Sequence, residues 1–313
     1  MKMKCVKSVL VGMTAVFTLV STMNAASAVA ASSDIQVILD GKRIAFVDAK
    51  PYADSGRVLV PLRVVSENLG AKVDYSNNVV TISQGSSVVK LTIGSKTASV
   101  NGKAVSLDSV PTVKSSRVFV PLRFVSEQLG QAVDWDSVDQ YVWIGEKTLP
   151  NIENTIPVES TDAYKVLYRQ TPDLINYDAS GRTTIQVLDE ASFPIYIPYG
   201  FSTDTLDLSR WDKQLYSFSL VQIDKENFFR VHYSGYSLAI CLLGNDGYPR
   251  GRAAEKHTIN DDGSFTDYYP IVSSGDKTFY NDAKWASYKP IDVKYVQLSI
   301  DSKNIVLIKS FWY

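Results

Sequence analysis

The chain has 313 residues, enough for two or three domains, and its 45% hydrophobic and 21% charged content is that of ordinary globular domains. Its formal net charge of -1 gives no electrostatic basis for binding nucleic acid. A disulfide-rich scaffold is excluded as well, because the chain has two cysteines.

Residues 1–31 have the features of a secretory signal peptide. Three lysines precede an apolar run at residues 9–20, and residues 26–28 (Ala-Ser-Ala) offer a cleavage site with small side chains. The run is too short to span a bilayer, and no later apolar stretch is long enough. Removing this segment would change the formal charge from -1 to about -4 and leave Cys241 as the single cysteine. We therefore expect an exported protein with no intrachain disulfide and no transmembrane segment.

Residues 32–146 contain two copies of one pattern. The sequence R-V-L-V-P-L-R-V-V-S-E-N-L-G-A-K-V-D at residues 57–74 returns as R-V-F-V-P-L-R-F-V-S-E-Q-L-G-Q-A-V-D at residues 117–134, with 13 of 18 positions identical. An internal repeat of this quality predicts one supersecondary unit used twice. Upstream of each copy, residues 35–47 and 97–107 predict a β-hairpin around an Asp-Gly or Asn-Gly turn.

Each copy predicts a strand, a short helix and a hairpin. A β-branched run ends at proline, which suits the first turn of a helix, and leucine and valine then recur three and four residues apart. Arginine and glutamate lie four residues apart, and glycine follows as a left-handed helix end. The residues that carry the pattern are Pro61, Leu62, Arg63, Glu67 and Gly70 in the first copy, and Pro121, Leu122, Arg123, Glu127 and Gly130 in the second.

The doubled motif V-P-L-R-x-V-S-E-x-L-G-x-x-V-D-[YW] resembles the copper amine oxidase N-terminal-like domain, the stalk module of secreted bacterial proteins. The resemblance covers about residues 34–145. It implies a small α+β module that is not itself catalytic. From the residues we expect two strand-helix-hairpin units, with antiparallel sheets that each carry a short helix.

The amine oxidase itself is excluded by the residues that its chemistry requires. That enzyme needs three histidines on copper and a tyrosine within T-x-x-N-Y-[DE] that becomes a quinone cofactor. This chain has only His232 and His257, and Asp173 stands where the threonine before Asn176-Tyr177-Asp178 should be. We therefore predict no cofactor and no metal site.

The second half of the chain differs in composition. Proline, asparagine and serine at residues 147–161 predict a linker. Residues 162–313 hold 15 of the 18 tyrosines, and apolar runs at 215–223, 228–233 and 236–243 alternate with turn residues. These features predict a mainly antiparallel β domain, a sandwich or an open barrel, which we assign to no family.

No catalytic set can be assembled from the sequence. The two histidines stand 25 residues apart without a zinc motif, and there is no G-x-S-x-G nucleophile elbow. Cys241 lies in an apolar run, as a small buried hydrophobe does. The many carboxylates could form a glycosidase pair, but so could those of any acidic sequence.

Aromatic side chains in polar settings are the positive indication of a ligand. Rings of tryptophan and tyrosine stack on sugars and often mark binding surfaces. The alternative is that they are core or hairpin residues of a β domain, where aromatics are favoured. The candidates for stacking are Trp211, Tyr216, Tyr268, Tyr269, Trp285 and Tyr288.

These features predict a secreted protein, extracellular or associated with the cell wall, without catalytic activity. The stalk module would be a spacer or docking element, and the C-terminal domain would bind a wall polymer, a glycan or an envelope protein. One alternative is a wall-directed hydrolase of glycan or peptide with the stalk module as its targeting appendage. Another is a structural protein whose edge strands pair between copies.

Overall fold

The computed structural model describes residues 34–172, 182–200, 212–280, 285–300 and 302–312. The described chain is mostly β-strand and forms two compact units that divide between residues 149 and 150. The predicted signal peptide lies outside the described residues. Within the described ranges, no helix has both the length and the apolar character needed to cross a bilayer.

The N-terminal unit consists of short strands and two short helices. The strands are β1 (Gln36–Leu39), β2 (Lys42–Arg43), β3 (Tyr52–Asp54), β4 (Arg57–Pro61), β5 (Lys72–Ser76), β6 (Val79–Gln84), β7 (Ser87–Thr92), β8 (Thr97–Val100), β9 (Lys103–Ser106), β10 (Thr112–Lys114), β11 (Arg117–Pro121), β12 (Val133–Asp136) and β13 (Tyr141–Ile144), and the helices are α1 (Leu62–Asn68) and α2 (Leu122–Gln128). They form sheets of order β12-β13-β1-β2, β10-β11-β4-β3 and β5-β6-β7-β8-β9.

The two copies of the motif fold alike. In the first, β4 runs into α1 at Pro61, and the apolar stripe of Leu62 and Val65 is fully buried. Arg63 and Glu67 approach to 3.9 Å on the exposed side. The helix is followed by Gly70 at φ +80°, a conformation that costs a residue with a Cβ about 1 kcal/mol or more.

The second copy reproduces these features closely. Pro121 joins β11 to α2, Leu122 is buried, and Arg123 lies 4.0 Å from Glu127. The helix is followed by Gly130 at φ +78°. The apolar stripes of both helices enter one hydrophobic core, so the copies are halves of a single unit rather than two independent modules.

A local two-fold axis relates the copies. Strands β4 and β11 pair antiparallel with Val60 opposite Val120, and these valines hold the same position in their respective copies. The hairpins are exchanged about this axis. The β1–β2 hairpin, which precedes the first copy, pairs with β13 of the second, while the β8–β9 hairpin, which precedes the second copy, extends the sheet of β5 and β6 from the first.

This exchange corrects the prediction of purely antiparallel sheets. Strands β1 and β13 are parallel, with Gln36 opposite Tyr141 and Leu39 opposite Ile144. A parallel pair needs a long connection, and here the whole duplicated motif supplies it. Sequence periodicity gives no sign of this exchange.

The C-terminal unit contains two larger sheets. Its elements are α3 (Ile152–Thr155), β14 (Val158–Ser160), β15 (Thr184–Leu188), β16 (Ile195–Ile197), β17 (Lys213–Ile223), β18 (Glu226–Ser234), β19 (Ile240–Gly244), β20 (Arg250–Arg252), β21 (Lys256–Ile259), β22 (Phe265–Pro270), α4 (Gly275–Tyr280), β23 (Val293–Leu298) and β24 (Ile305–Lys309), with 3-10 helices at Thr161–Tyr168, Glu190–Ser192, Trp285–Ser287 and Pro290–Asp292.

The sheets of this unit have the orders β14-β15-β24-β23-β19-β20 and β16-β17-β18-β22-β21. Their pairs are antiparallel except for β15 with β24, which is parallel. Apolar side chains of both sheets form one core, to which Phe229 and Val231 contribute from one sheet and Val296 and Val306 from the other. The central strands are therefore buried by the facing sheet.

The predicted linker at residues 147–161 is wrong over most of its length. Asn151 caps α3 by accepting a hydrogen bond from the Glu153 amide, and β14 joins the larger sheet beside β15. Ile152 is 1% exposed, and the buried Gln186 side chain donates to its carbonyl oxygen at 3.0 Å. Asn151, which suggested a loop, is the N-cap of α3, and Pro150 is the residue that precedes this cap.

Candidate functional site

A cleft of about 340 Å³ opens on the C-terminal unit where the first 3-10 helix meets the β23–β24 hairpin. Its apolar side is formed by Tyr164, Val166 and Leu167 from that helix and by Tyr295 from β23. Val166 is 55% exposed, whereas Tyr164 and Leu167 are buried in a hydrophobic core cluster. Among these apolar residues, Val166 and part of Tyr295 are therefore accessible to solvent.

Two tyrosines form the aromatic wall of the cleft. The rings of Tyr164 and Tyr295 meet edge to face, with centroids 5.6 Å apart and an interplanar angle of 80°. The Tyr164 hydroxyl donates to Glu159 Oε2 at 2.6 Å, which fixes the ring. Burial, and then the Glu159 carboxylate, raise the pKa of both phenols above the ordinary value. Tyr164 is buried and Tyr295 is half-buried, so this pair of rings packs the first 3-10 helix onto β23.

Two lysines complete the lining. Lys309 ends β24 directly opposite Tyr295 in the antiparallel register, so the ammonium group and the ring belong to neighbouring positions. Lys294 precedes Tyr295 and donates to the carbonyl oxygen of Ile291 at 3.3 Å. Asn245 adds an amide at the same cleft. These residues place lysine and asparagine side chains beside the partly exposed Tyr295 and the exposed Val166.

The residues predicted to stack on a ligand do not form this site. Tyr269 is fully buried, and its hydroxyl oxygen lies 2.8 Å from the Leu238 carbonyl oxygen and 3.0 Å from a carboxylate oxygen of Asp267, so its assignment to a binding surface is wrong. Tyr268, on the opposite face of β22, is half-buried. Trp285 is half-buried in a 3-10 helix, and Trp211 lies outside the described residues.

The other two candidates have one face covered. Tyr216 packs against His232 with centroids 4.7 Å apart, and its hydroxyl donates to Gln214 at 2.9 Å. The Arg250 guanidinium lies 4.2 Å from the Tyr288 ring centroid. The tyrosines at the cleft were missed because they meet only through a contact between distant parts of the chain.

The N-terminal unit can be compared with known families once its repeat and topology are described. Residues 38–144 match the family model of the copper amine oxidase N-terminal domain. The match confirms the resemblance seen in the doubled motif. No curated protein matches the chain. The matched region ends before residue 150, so the cleft lies in a part of the chain to which the family gives no function.

The copper amine oxidase N-terminal domain contains neither histidine of the chain, and both lie in hydrogen-bonded positions of the C-terminal unit. His257 Nδ1 bonds to Asp267, which also accepts from Tyr233 at 2.8 Å. His232 Nε2 lies 2.7 Å from Ser264 Oγ. Two histidines do not fit the three-histidine copper site of the oxidase, so no step is assigned to that metal.

Ser264 is a serine whose hydroxyl lies within hydrogen-bond distance of a histidine. Its hydroxyl donates to Asp262, which lowers the pKa of that carboxyl group, and it therefore accepts rather than donates toward His232. Ser264 and His232 are both buried. A nucleophilic serine gives its proton to the imidazole and faces the substrate, so this chain of bonds has the form of a structural network.

A buried ionic cluster links β20 to α4. Arg252 donates to both oxygens of Asp276, at 2.9 and 2.6 Å, and to the carbonyl oxygens of Pro270 and Ile271. Arg250 Nε lies 3.7 Å from the same carboxylate. All three charged side chains are shielded from solvent. This carboxylate is fully engaged by donors and serves to hold the elements together.

Proposed function

We propose that the protein is a secreted, non-catalytic component of the cell envelope, in which the C-terminal unit binds a wall polymer, a glycan or an envelope protein. The copper amine oxidase N-terminal domain acts as a spacer or docking element. The single observation that carries the proposal is the cleft of about 340 Å³, which joins the exposed Val166 to polar and lysine side chains. The signal-like residues 1–31 support export.

The scaffold beneath the cleft favours binding. Strands β23 and β24 are central in the larger sheet, and Val296 and Ile308 on them are fully buried. We infer that the two sheets of this unit form a sandwich, because one core lies between them. Groups that project from such strands hold their positions without a ligand, which reduces the entropic cost of binding.

The proposal is tested by retention on purified cell walls. The chain without residues 1–31 is expected to sediment with walls. The Val166→Asp variant should be lost from the pellet, because it places a carboxylate on the apolar side of the cleft. The matched control is Ile259→Asp on the edge strand β21, since Ile259 is also a well-exposed apolar residue. The control should be retained like the unchanged chain.

Release of reducing ends or free amino groups from the same walls is measured in parallel. Retention without release supports a binding protein. No retention together with measurable release would reverse the order of the two hypotheses and favour the wall-directed hydrolase. Equal loss for Val166→Asp and Ile259→Asp would show that the cleft is not where the wall is bound.

A further inference from the structure

We propose that the copper amine oxidase N-terminal domain binds an oxyanion, a phosphate or carboxylate group of a hydroxylated polymer, in a cleft at one end of its five-stranded sheet. We call this cleft of about 380 Å³ the N-terminal cleft. It is lined by Ser86, Val88, Lys90, Ser99, Asn101 and Gly102. The inference goes beyond the proposed function, in which the C-terminal unit binds the ligand and this domain is a spacer or docking element.

The N-terminal cleft lies where two turns of the sheet meet. Ser86 belongs to the turn from β6 to β7, and Asn101 belongs to the turn from β8 to β9 at the same end of the sheet. Between these turns, Lys90 on β7 lies directly opposite Ser99 on β8. Both strands are interior strands of the sheet, and their other face enters the hydrophobic core. The floor of the cleft is therefore held in place without a ligand, which reduces the entropic cost of binding.

The side chain of Asn101 is fixed in an orientation that suits an anion. Its Oδ1 accepts a hydrogen bond from the Val88 backbone amide at 2.8 Å, and the Asn101 amide donates to the Val88 carbonyl oxygen at 2.8 Å. A backbone N–H can only donate, so the side-chain oxygen must face Val88, and the Nδ2 group keeps two N–H donors for a ligand. Within the described residues, no acceptor is bonded to this Nδ2 group.

The charged residue of the lining is a lysine. Lys90 is exposed, and none of the acidic residues in the described ranges forms an ion pair with it. On the same face, Asp74 is separated from Lys90 by β6, because Thr81 lies opposite both of them in the strand register. Asp74 also has a cation of its own, since it lies 3.6 Å from Lys72. An anion bound at Lys90 would therefore meet little repulsion from neighbouring carboxylates.

The charge around the N-terminal cleft is opposite to that of the chain. Residues 71–107, which contain the five strands of this sheet, hold four lysines and one aspartate, a formal net charge of +3, whereas the chain without residues 1–31 has about -4. A local surplus of positive charge attracts anions. Beside it, the Asn101 amide and the hydroxyls of Ser86 and Ser99 can bond both to an oxyanion and to the hydroxyl groups of the chain that carries it.

The N-terminal cleft belongs to one half of the domain. In the sheet of the second copy, β1 pairs directly with β13, whereas in the sheet of the first copy β7 lies between β6 and β8. Lys90 is therefore on a strand that has no counterpart across the local two-fold axis, and we expect one such site in each chain. A volume of about 380 Å³ is near the lower end of ligand sites, which suits one anionic group with its adjoining hydroxyls.

The experiment uses titration calorimetry with the chain lacking residues 1–31. The probes are poly(glycerol phosphate), a polyuronate, a neutral glucan and a single-stranded DNA of matched charge. We expect binding of poly(glycerol phosphate), of the polyuronate or of both, which identifies the anion as phosphate or carboxylate. The glucan should not bind because it has no charge, and added salt should weaken the binding of the anionic polymers.

The variant Lys90→Gln/Asn101→Asp removes the ammonium group and replaces two N–H donors by a carboxylate oxygen. It keeps an oxygen that accepts from the Val88 amide, and aspartate tolerates the φ of +49° at position 101. One exposed ionic contact changes an affinity by up to about fivefold, so we expect the affinity to fall about tenfold or more.

The matched control is Lys96→Gln/Asn78→Asp. It makes the same change in charge at the opposite end of the same sheet, and Asn78 also has a positive φ, of +62°. The control should bind within about twofold of the unchanged chain, because the sheet is longer than the screening distance at physiological salt. Urea midpoints of both double variants show whether they fold, and Lys90→Gln alone, a change at an exposed side chain, should still weaken binding severalfold.

The outcomes separate this inference from the proposed function. Retention on walls with no binding of either anionic polymer, or with equal effects of Lys90→Gln/Asn101→Asp and its control, overturns the inference and leaves the proposed function standing. Equal binding of the DNA overturns the hydroxylated polymer as the ligand, because the cleft would then respond to charge alone. Loss of polymer binding in Val166→Asp, with Lys90→Gln/Asn101→Asp unaffected, also overturns the inference, because the polymer would then bind to the C-terminal unit.

Discussion

Replacement of Asp276 by asparagine should destabilise the C-terminal unit more than any exposed charge change. Asp276 is almost fully buried and accepts two hydrogen bonds from Arg252, with Arg250 Nε at 3.7 Å. Asparagine has nearly the same shape, but it removes the negative charge and turns N–H donors toward a guanidinium. Two buried cations would then share the partly exposed Asp246, which bonds to Arg250 at 2.6 Å.

The expected cost follows from the burial of this cluster. Removing one partner of a buried ion pair typically costs about 3–5 kcal/mol, because the other charge stays buried without compensation. With a slope of about 2 kcal/mol per molar urea, the midpoint of unfolding should fall by about 2 M. The measurement is urea denaturation of the full chain followed by near-ultraviolet circular dichroism, with the slope compared between variants.

The matched control is Glu153→Gln in the same unit. Glu153 lies 3.8 Å from Lys303, and the two side chains are 39% and 72% exposed. Such a pair contributes less than about 1 kcal/mol, so its loss should barely shift the midpoint. A second variant, Asp276→Leu with Arg252→Met, should recover part of the stability lost in Asp276→Asn. A shift for Asp276→Asn no larger than that of Glu153→Gln would refute this account of the cluster.

Three further predictions concern both units. Ser66 and Ser126 are buried with hydroxyls that have no hydrogen-bond partner, so Ser→Ala at either should leave thermal stability unchanged or raise it, and a loss above about 1 kcal/mol would reveal a partner. A fragment of residues 34–94 should be unfolded, with amide proton signals confined to the narrow range of an unstructured chain in its NMR spectrum. In this fragment β1, β4 and β7 would lose their pairing with β13, β11 and β8, respectively. A folded fragment would contradict the hairpin exchange. Burial raises the pKa of Tyr233 and Tyr269 in the folded protein, so the unfolded chain loses these phenolic protons at a lower pH. The free energy of unfolding should therefore fall as the pH rises above about 10. Equal urea midpoints at about pH 9 and about pH 11 would contradict this prediction.

The duplicated half of the fold could be predicted because its signals are local. Leucine and valine at helical spacing, proline at the strand end and glycine after the helix each act within a few residues, and the structure shows them in both copies. The error at Tyr269 has the opposite cause. Tyr268 and Tyr269 are neighbours in β22 and must face opposite sides, but only the packing of the second sheet decides which side is the core.

The cleft could not be derived from the sequence for a similar reason. Tyr164 and Tyr295 are far apart in the chain, and their contact depends on the docking of a short helix onto the β23–β24 hairpin. Lys309 becomes the neighbour of Tyr295 only through the register of that hairpin. Composition shows that tyrosine is abundant in this half, but abundance does not say which rings reach the surface.

The parallel pairing of β1 with β13 has a mechanical consequence for the copper amine oxidase N-terminal domain. The chain enters β1 at Gln36 and leaves β13 at Ile144, at opposite ends of the paired strands. A tensile load applied between the two ends of the domain would slide these strands along each other and strain all their hydrogen bonds at once, instead of unzipping them singly. The bonds from the Asp40 amide to Ile144 and from the Glu146 amide to Asp40 lie on the same load path. This loading geometry makes the domain resistant to extension between its two ends.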